Sequence, residues 1–185
     1  MIVTDIVIII CLILSAFFSG LEIAFISSDR IFLEIEKNQG NIIAKILTLI
    51  TETPSKFIAT MLVGNNISLV VYGIFMGNRI ITSLFSEVDA SNLPINILLY
   101  QTLISTVIIL LTAEFLPKVF FQLYANKLIK FFIIPAAFFY YLFVPITFFI
   151  IKITDGLLHF FFKTSAEVSE ISFSKGELGD YIEKQ

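Results

Sequence analysis

The stretch Leu93–Lys118 reads LPINILLYQTLISTVIILLTAEFLPK. Its first 21 residues, Leu93 to Ala113, carry no charge, and Glu114 closes the run. At about 1.5 Å per residue such a run crosses about 30 Å of hydrocarbon, so it predicts a membrane-spanning helix. A carboxylate at membrane depth is costly, and a chain that keeps one there generally uses it. Pro117 follows three residues later. A helical proline leaves carbonyls of the preceding turn without an N–H partner. An acid beside unserved carbonyl oxygens is the raw material of a cation site.

Three further apolar stretches extend this reading. Ile6–Ile26 contains Glu22 as its one charge, Phe57–Asn78 has none, and Phe131–Ile151 lies between Lys130 and Lys152. Hydrophobic residues make up 57% of the 185 and charged ones 15%, with a mean hydropathy of +0.94. A soluble domain carries roughly 25% charged residues. The composition therefore predicts one all-α membrane domain with a short polar tail.

Several classes are disfavoured. No basic stripe suggests nucleic acid. Cys11 is the single cysteine and sits in an apolar run, so there is no disulfide framework or thiolate metal cluster. No nucleophile–base pair or histidine metal motif suggests an enzyme. The N-terminus lacks a basic leader and an A-x-A-like cleavage site, which predicts a retained first helix.

Loop charge predicts orientation. The Asp29–Lys56 connection carries Arg30, Lys37, Lys45 and Lys56, whereas Ser86–Pro94 carries only Glu87 and Asp89. The positive-inside rule puts the first in the cytoplasm, the second outside, and the N-terminus outside. Lys118, Lys127 and Lys130 then fall inside. Within the first connection, apolar spacing predicts two short helices broken at Gly40 and ending near Pro54. Phe131–Ile151 reads equally as a span or as a kinked helix along the cytoplasmic interface, because Pro135 and Pro145 interrupt it. After Lys163 the chain turns polar, and Ser174-Lys175-Gly176-Glu177 resembles a capping box.

Three constellations carry candidate chemistry. Ser15, Ser19 and Glu22 fall at i, i+4 and i+7, on one helix face. Gly20 and Ala24 beside them permit close helix approach. This face suits the lining of an ion path. Alternatively the serines are packing glue and Glu22 pairs with Arg30 or a lysine. Gly64-Asn65-Asn66 puts two amides inside a span. Without partners, each would lose roughly 2–7 kcal/mol on desolvation. They read as cation ligands or as an interhelical clamp. Glu114 with Pro117 is the third, and an i, i+4 ion pair with Lys118 is its plainer alternative. Gly73-Ile74-Phe75-Met76-Gly77 adds a GxxxG pattern for a close contact within one chain or between two.

Taken in order, Ser15…Ser19-Gly20-Leu21-Glu22, Gly64-Asn65-Asn66 and Glu114-Phe115-Leu116-Pro117-Lys118 resemble the transmembrane domain of the CNNM/CorC family of magnesium transporters, often labelled hemolysin-like in bacteria. The resemblance covers about Ile2 to Lys163. It implies three transmembrane helices, short cytoplasmic helices between the first two, and a kinked juxtamembrane helix after the third. It favours the interfacial reading of Phe131–Ile151. It implies a homodimer in the cell (inner) membrane and a cytosolic CBS-pair module, so that residues 164–185 begin a regulatory region. One position departs. The family commonly has another Asn five residues after its Gly, where this chain has Leu69 with Ser68 beside it.

The expected function is transport of Mg²⁺ across the membrane, as efflux, with inward Na⁺ movement as a candidate coupling. Mg²⁺ takes hard oxygen ligands at roughly 2.0–2.1 Å. Ser15, Ser19, Glu22, Gly64, Asn65, Asn66, Glu114 and Pro117 are the candidate site residues, Pro117 through the carbonyls it frees. The alternative expectation is a non-transporting dimeric anchor or sensor for a cytosolic module.

Overall fold

Seven α-helices and one π-helical turn make up the described part of the chain. The structure, a computed structural model, describes residues 2–85 and 94–162, with side chains through Leu157. The helices are α1 (Ile2–Ser27), α2 (Arg30–Lys37), α3 (Ile42–Glu52), α4 (Pro54–Leu84), α5 (Ile95–Ile109), α6 (Leu116–Leu123) and α7 (Ala125–Phe162). A π-helical turn, Leu110–Phe115, joins α5 to α6. No strand occurs among the described residues. The predicted capping box and the domain from residue 164 lie outside them.

Local chemistry sets the boundaries. Asp29 caps α2, accepting from the Ile31 and Phe32 amides, and Asn41 caps α3 by accepting from Ala44. Gly40 separates them at φ +71°, a left-handed conformation that glycine adopts without a Cβ clash. Pro54 opens α4, where no N–H is required. The two short helices and the break at Gly40 match the sequence reading.

Four helices are long and apolar enough to cross a membrane: Ile2–Ser27, Pro54–Leu84, Ile95–Leu123 and Ala125–Leu157. The first three are the predicted spans, somewhat extended. α4 continues through Arg79 because the guanidinium finds the Asp5 carboxylate at 2.5 Å. That pair also fixes α1 and α4 as antiparallel, with the start of α1 beside the end of α4. Hereafter this is the Asp5 end, and the opposite one, where α1 finishes and α4 begins, is the Asp29 end.

α7 is the helix expected after the third span. Pro135 and Pro145 lie inside it without ending it. Its first part packs on the Asp29 end. Asn126 accepts from the Asp29 amide, Lys130 pairs with Glu36 at 2.6 Å, Tyr140 meets Thr53 at 3.2 Å and Thr147 meets Thr60 at 3.1 Å. From Tyr140 to Thr147 α7 advances seven residues while its partners advance seven, from Thr53 to Thr60, so this stretch runs alongside the first two turns of α4. From Phe148 the chain forms a separate unit, in which the Lys152 ammonium sits 4.7 Å from the Phe148 ring centre.

Apolar burial does not drive helix association in lipid, so close packing and polar contacts must. Phe17 and Phe18 of α1 meet Phe132, Phe139 and Phe143 of α7, mostly edge to face. Phe57 stacks on Tyr140. The opposite surfaces of the spans expose Ile6, Ile9, Ile13, Leu99, Leu103 and their neighbours, as a lipid-facing belt should.

Candidate cation site

Midway along α1, two serines one turn apart tie three elements together. Ser15 donates to the Asn65 side-chain oxygen of α4 at 2.6 Å. Ser19 donates to the main-chain oxygen of Ala113, in the π-helical turn, at 2.7 Å. All of these groups are buried: Ser15, Ser19 and Ala113 are at most 1% exposed, and Asn65 is 6% exposed.

The Ala113 carbonyl cannot take its usual α-helical partner, for a reason visible in the sequence. In an α-helix it would accept from the residue four positions on, which is Pro117, and proline has no N–H. The π-helical turn supplies a different pattern, with the Leu116 amide reaching back to Leu111. Such turns recur at functional sites. The expectation that Pro117 frees a carbonyl thus acquires an address, Ala113, and a partner, Ser19.

Gly64 brings α4 against α1. A β-carbon there would lie 2.7–2.8 Å from three atoms of the Phe18 ring. Its carbonyl accepts from Ser68 at 2.9 Å, and Ser68 is buried. Gly20 plays the same part on α1, where a β-carbon would meet the Phe121 ring of α6 at 2.5–2.8 Å. The three spans converge because these positions lack side chains.

The candidate residues divide. Ser15, Ser19, Gly64 and Asn65 come together, with Pro117 acting through Ala113. Asn66 is exposed. Adjacent helical residues point about 100° apart, so only one of the two amides can face α1. Glu22 and Glu114 are half-buried, one turn or less along the chain from Ser19 and Ala113 respectively. Among the described residues neither forms an ion pair, so Glu114 does not bridge to Lys118, nor Glu22 to Arg30. The Ala113 carbonyl was reached in the sequence only as one of those Pro117 frees, and Ser68, beside Leu69, bonds the Gly64 carbonyl rather than another helix. Ser68 had a signal, since it stands at i+4 from Gly64 and i+3 from Asn65. The GxxxG pair also splits: Gly77 lies against Gln101 of α5, and Gly73 faces open space.

The cluster is made of neutral oxygens. No group of three or more His, Cys, Asp or Glu among the described residues is placed to hold a metal. Two hydroxyls, one amide oxygen and the carbonyls of Gly64 and Ala113 are hard donors of the kind Mg²⁺, Ca²⁺ and Na⁺ accept. Each serine donates its single proton and keeps its oxygen lone pairs. The existing hydrogen bonds therefore pre-position the oxygens without exhausting them.

Fold and cluster together define a class: a multi-pass helical membrane protein with an oxygen-lined polar centre where three helices meet. The family model described as the Cyclin M (CNNM) transmembrane N-terminal domain matches residues 6–185. The chain belongs to the CNNM family, which is generally linked to divalent cation transport. A search of curated proteins found no match.

Proposed function

We propose that this chain moves Mg²⁺ out of the cell through the cluster formed by Ser15, Ser19, Gly64, Asn65 and the Ala113 carbonyl. Inward Na⁺ movement is the candidate coupling. The observation that carries the reading is the Ala113 oxygen. It is freed by Pro117, buried, met by Ser19, and adjacent in sequence to Glu114. Neutral oxygens bind a divalent ion loosely enough to release it, and Glu114 and Glu22 are the nearby sources of negative charge. Alternating exposure of such a midplane site is the general transporter scheme. In this reading the Asp29 end is cytoplasmic, in keeping with its lysines and arginine. The N-terminus is outside, and the first part of α7, whose partners are Asp29, Glu36 and Thr53, lies along the inner interface. Two copies assemble, Gly73 being open to a neighbour, and a cytosolic CBS-pair module follows in the longer protein. The chain is a transporter, not an enzyme.

A second reading has its own support. Ser15–Asn65 and Ser19–Ala113 satisfy each other, as the bonds of a packing clamp in a dimeric anchor or sensor would. Calorimetry and thermal shift on the detergent-purified chain separate the two, comparing Mg²⁺ with Ca²⁺ and Na⁺ beside Glu114→Gln. Saturable Mg²⁺ stabilisation that the variant loses supports transport. A folded chain indifferent to Mg²⁺ supports the anchor.

A further inference from the structure

Tyr72 stands between the oxygen cluster and the Asp5 end. It lies seven residues beyond Asn65 and four beyond Ser68, hence on the same face of α4, about 10 Å further along. The side chain is fully buried. Ile8 and Cys11 of α1 enclose the ring, with Val7, Leu12, Val71, Phe75, Met76, Ile108 and Ile109 around them. The phenol donates to the main-chain oxygen of Ser105 on α5 at 3.3 Å. On the α5 side, Ser105 also borders a cleft of about 310 Å³ that Gly73, Gln101, Thr102 and Thr106 line. The cleft thus lies beside an apolar plug in which the phenol carries the one hydroxyl.

We propose that Tyr72 is the gate on the outer side of the cation site. Its bond to the Ser105 carbonyl is the bolt, and the cleft bordered by Gln101, Thr102 and Thr106, at the level of Ser105, is the space beside it into which the ring can turn. The inference rests on the transport reading. A cation leaving the cluster toward the Asp5 end must pass the Tyr72 ring, because α1, α4 and α5 close around it with aliphatic side chains. The bolt is one hydrogen bond, at 3.3 Å longer than the usual 2.7–2.8 Å of an O–H···O bond, so turning the ring breaks a single contact of the phenol. Swinging the ring toward the cleft would move its hydroxyl among Gln101 and the threonines, so the phenol need not lose a partner on opening.

Cys11, the sole cysteine, is buried against Tyr72 and serves as a native reporter. The full chain in liposomes is treated from outside with a membrane-impermeant maleimide, and Mg²⁺ flux is followed in parallel. The variants are Tyr72→Phe, which keeps the ring and removes the bolt, Tyr72→Ala, and Met76→Ala, which loosens the same cluster with the bolt intact. Expected are slow Cys11 labelling in the native chain, severalfold faster labelling in Tyr72→Phe, and native-like labelling in Met76→Ala. Mg²⁺ leak that no longer saturates is expected in Tyr72→Ala. Labelling of Tyr72→Phe at the native rate overturns the gate, as does equal acceleration by Met76→Ala. If the native chain moves no Mg²⁺, the transport reading fails by itself. The labelling series then still decides whether Tyr72 closes this path.

Discussion

The Ser19 hydroxyl meets the Ala113 carbonyl at 2.7 Å, across 94 residues of chain, at the one carbonyl that Pro117 cannot serve. A backbone defect on one helix is thereby matched to a hydroxyl on another. Pro117→Ala supplies the missing N–H and lets the π-helical turn relax toward regular α-helix. The variant should fold at least as stably as the native chain, since a helical proline is costly. Its Mg²⁺-dependent rise in melting temperature should disappear. Thermal denaturation with and without Mg²⁺ checks this, and an undiminished Mg²⁺ response would remove Ala113 from the site.

Asn65 offers a graded test. Asn65→Asp keeps an oxygen for Ser15 and adds a charge beside the cluster. Tighter Mg²⁺ binding with slower release is expected, by about tenfold in affinity for about 1.4 kcal/mol of added interaction. Asn65→Leu should instead abolish binding and leave the Ser15 hydroxyl without its partner, destabilising the chain by about 1–3 kcal/mol. Calorimetric titration distinguishes the two. Equal loss in both would mean that Asn65 only clamps the helices.

The steric role of Gly64 predicts a stability effect that compensation can reverse. Gly64→Ala forces a methyl group to within 2.7–2.8 Å of the Phe18 ring, and overpacking of this kind costs about 1–3 kcal/mol. Phe18→Leu in the same chain removes the clashing ring atoms and should restore much of the loss. Unfolding measured in detergent for both single variants and the double variant gives the coupling. Strictly additive losses would show that Phe18 and Gly64 do not press on each other.

Much of this architecture is legible in the sequence because it depends on local signals. The apolar runs give the spans. Asp29, Gly40, Asn41 and Pro54 punctuate the first connection at the positions where the helices start and stop. Other features depend on contacts between distant residues. Arg79 extends α4 beyond its apolar run because Asp5 of another helix receives it. Asn65 faces inward and Asn66 outward because Gly64 seats α4 against Phe18, a register no single segment encodes. The π-helical turn has only Pro117 as a herald, and its partner lies on α1.

Glu36 carries the last prediction. It is 5% exposed, and one carboxylate oxygen accepts from Lys130 while the other is buried without a partner among the described residues. This ion pair ties α2 to α7 at the Asp29 end. Lys130→Met leaves the carboxylate buried and unpaired. The loss should fall below the about 3–5 kcal/mol typical of a wholly buried pair, because the Lys130 side chain is 41% exposed. Glu36→Leu alone should cost less, because it leaves only the partly solvated Lys130 unpaired, and Glu36→Leu with Lys130→Met should recover most of the stability, since an apolar pair replaces a desolvated ionic one. Chemical denaturation of the four proteins closes a double-mutant cycle. A coupling near zero would mean that α2 is held by its apolar face, Leu33 above all, and that the ion pair contributes nothing measurable.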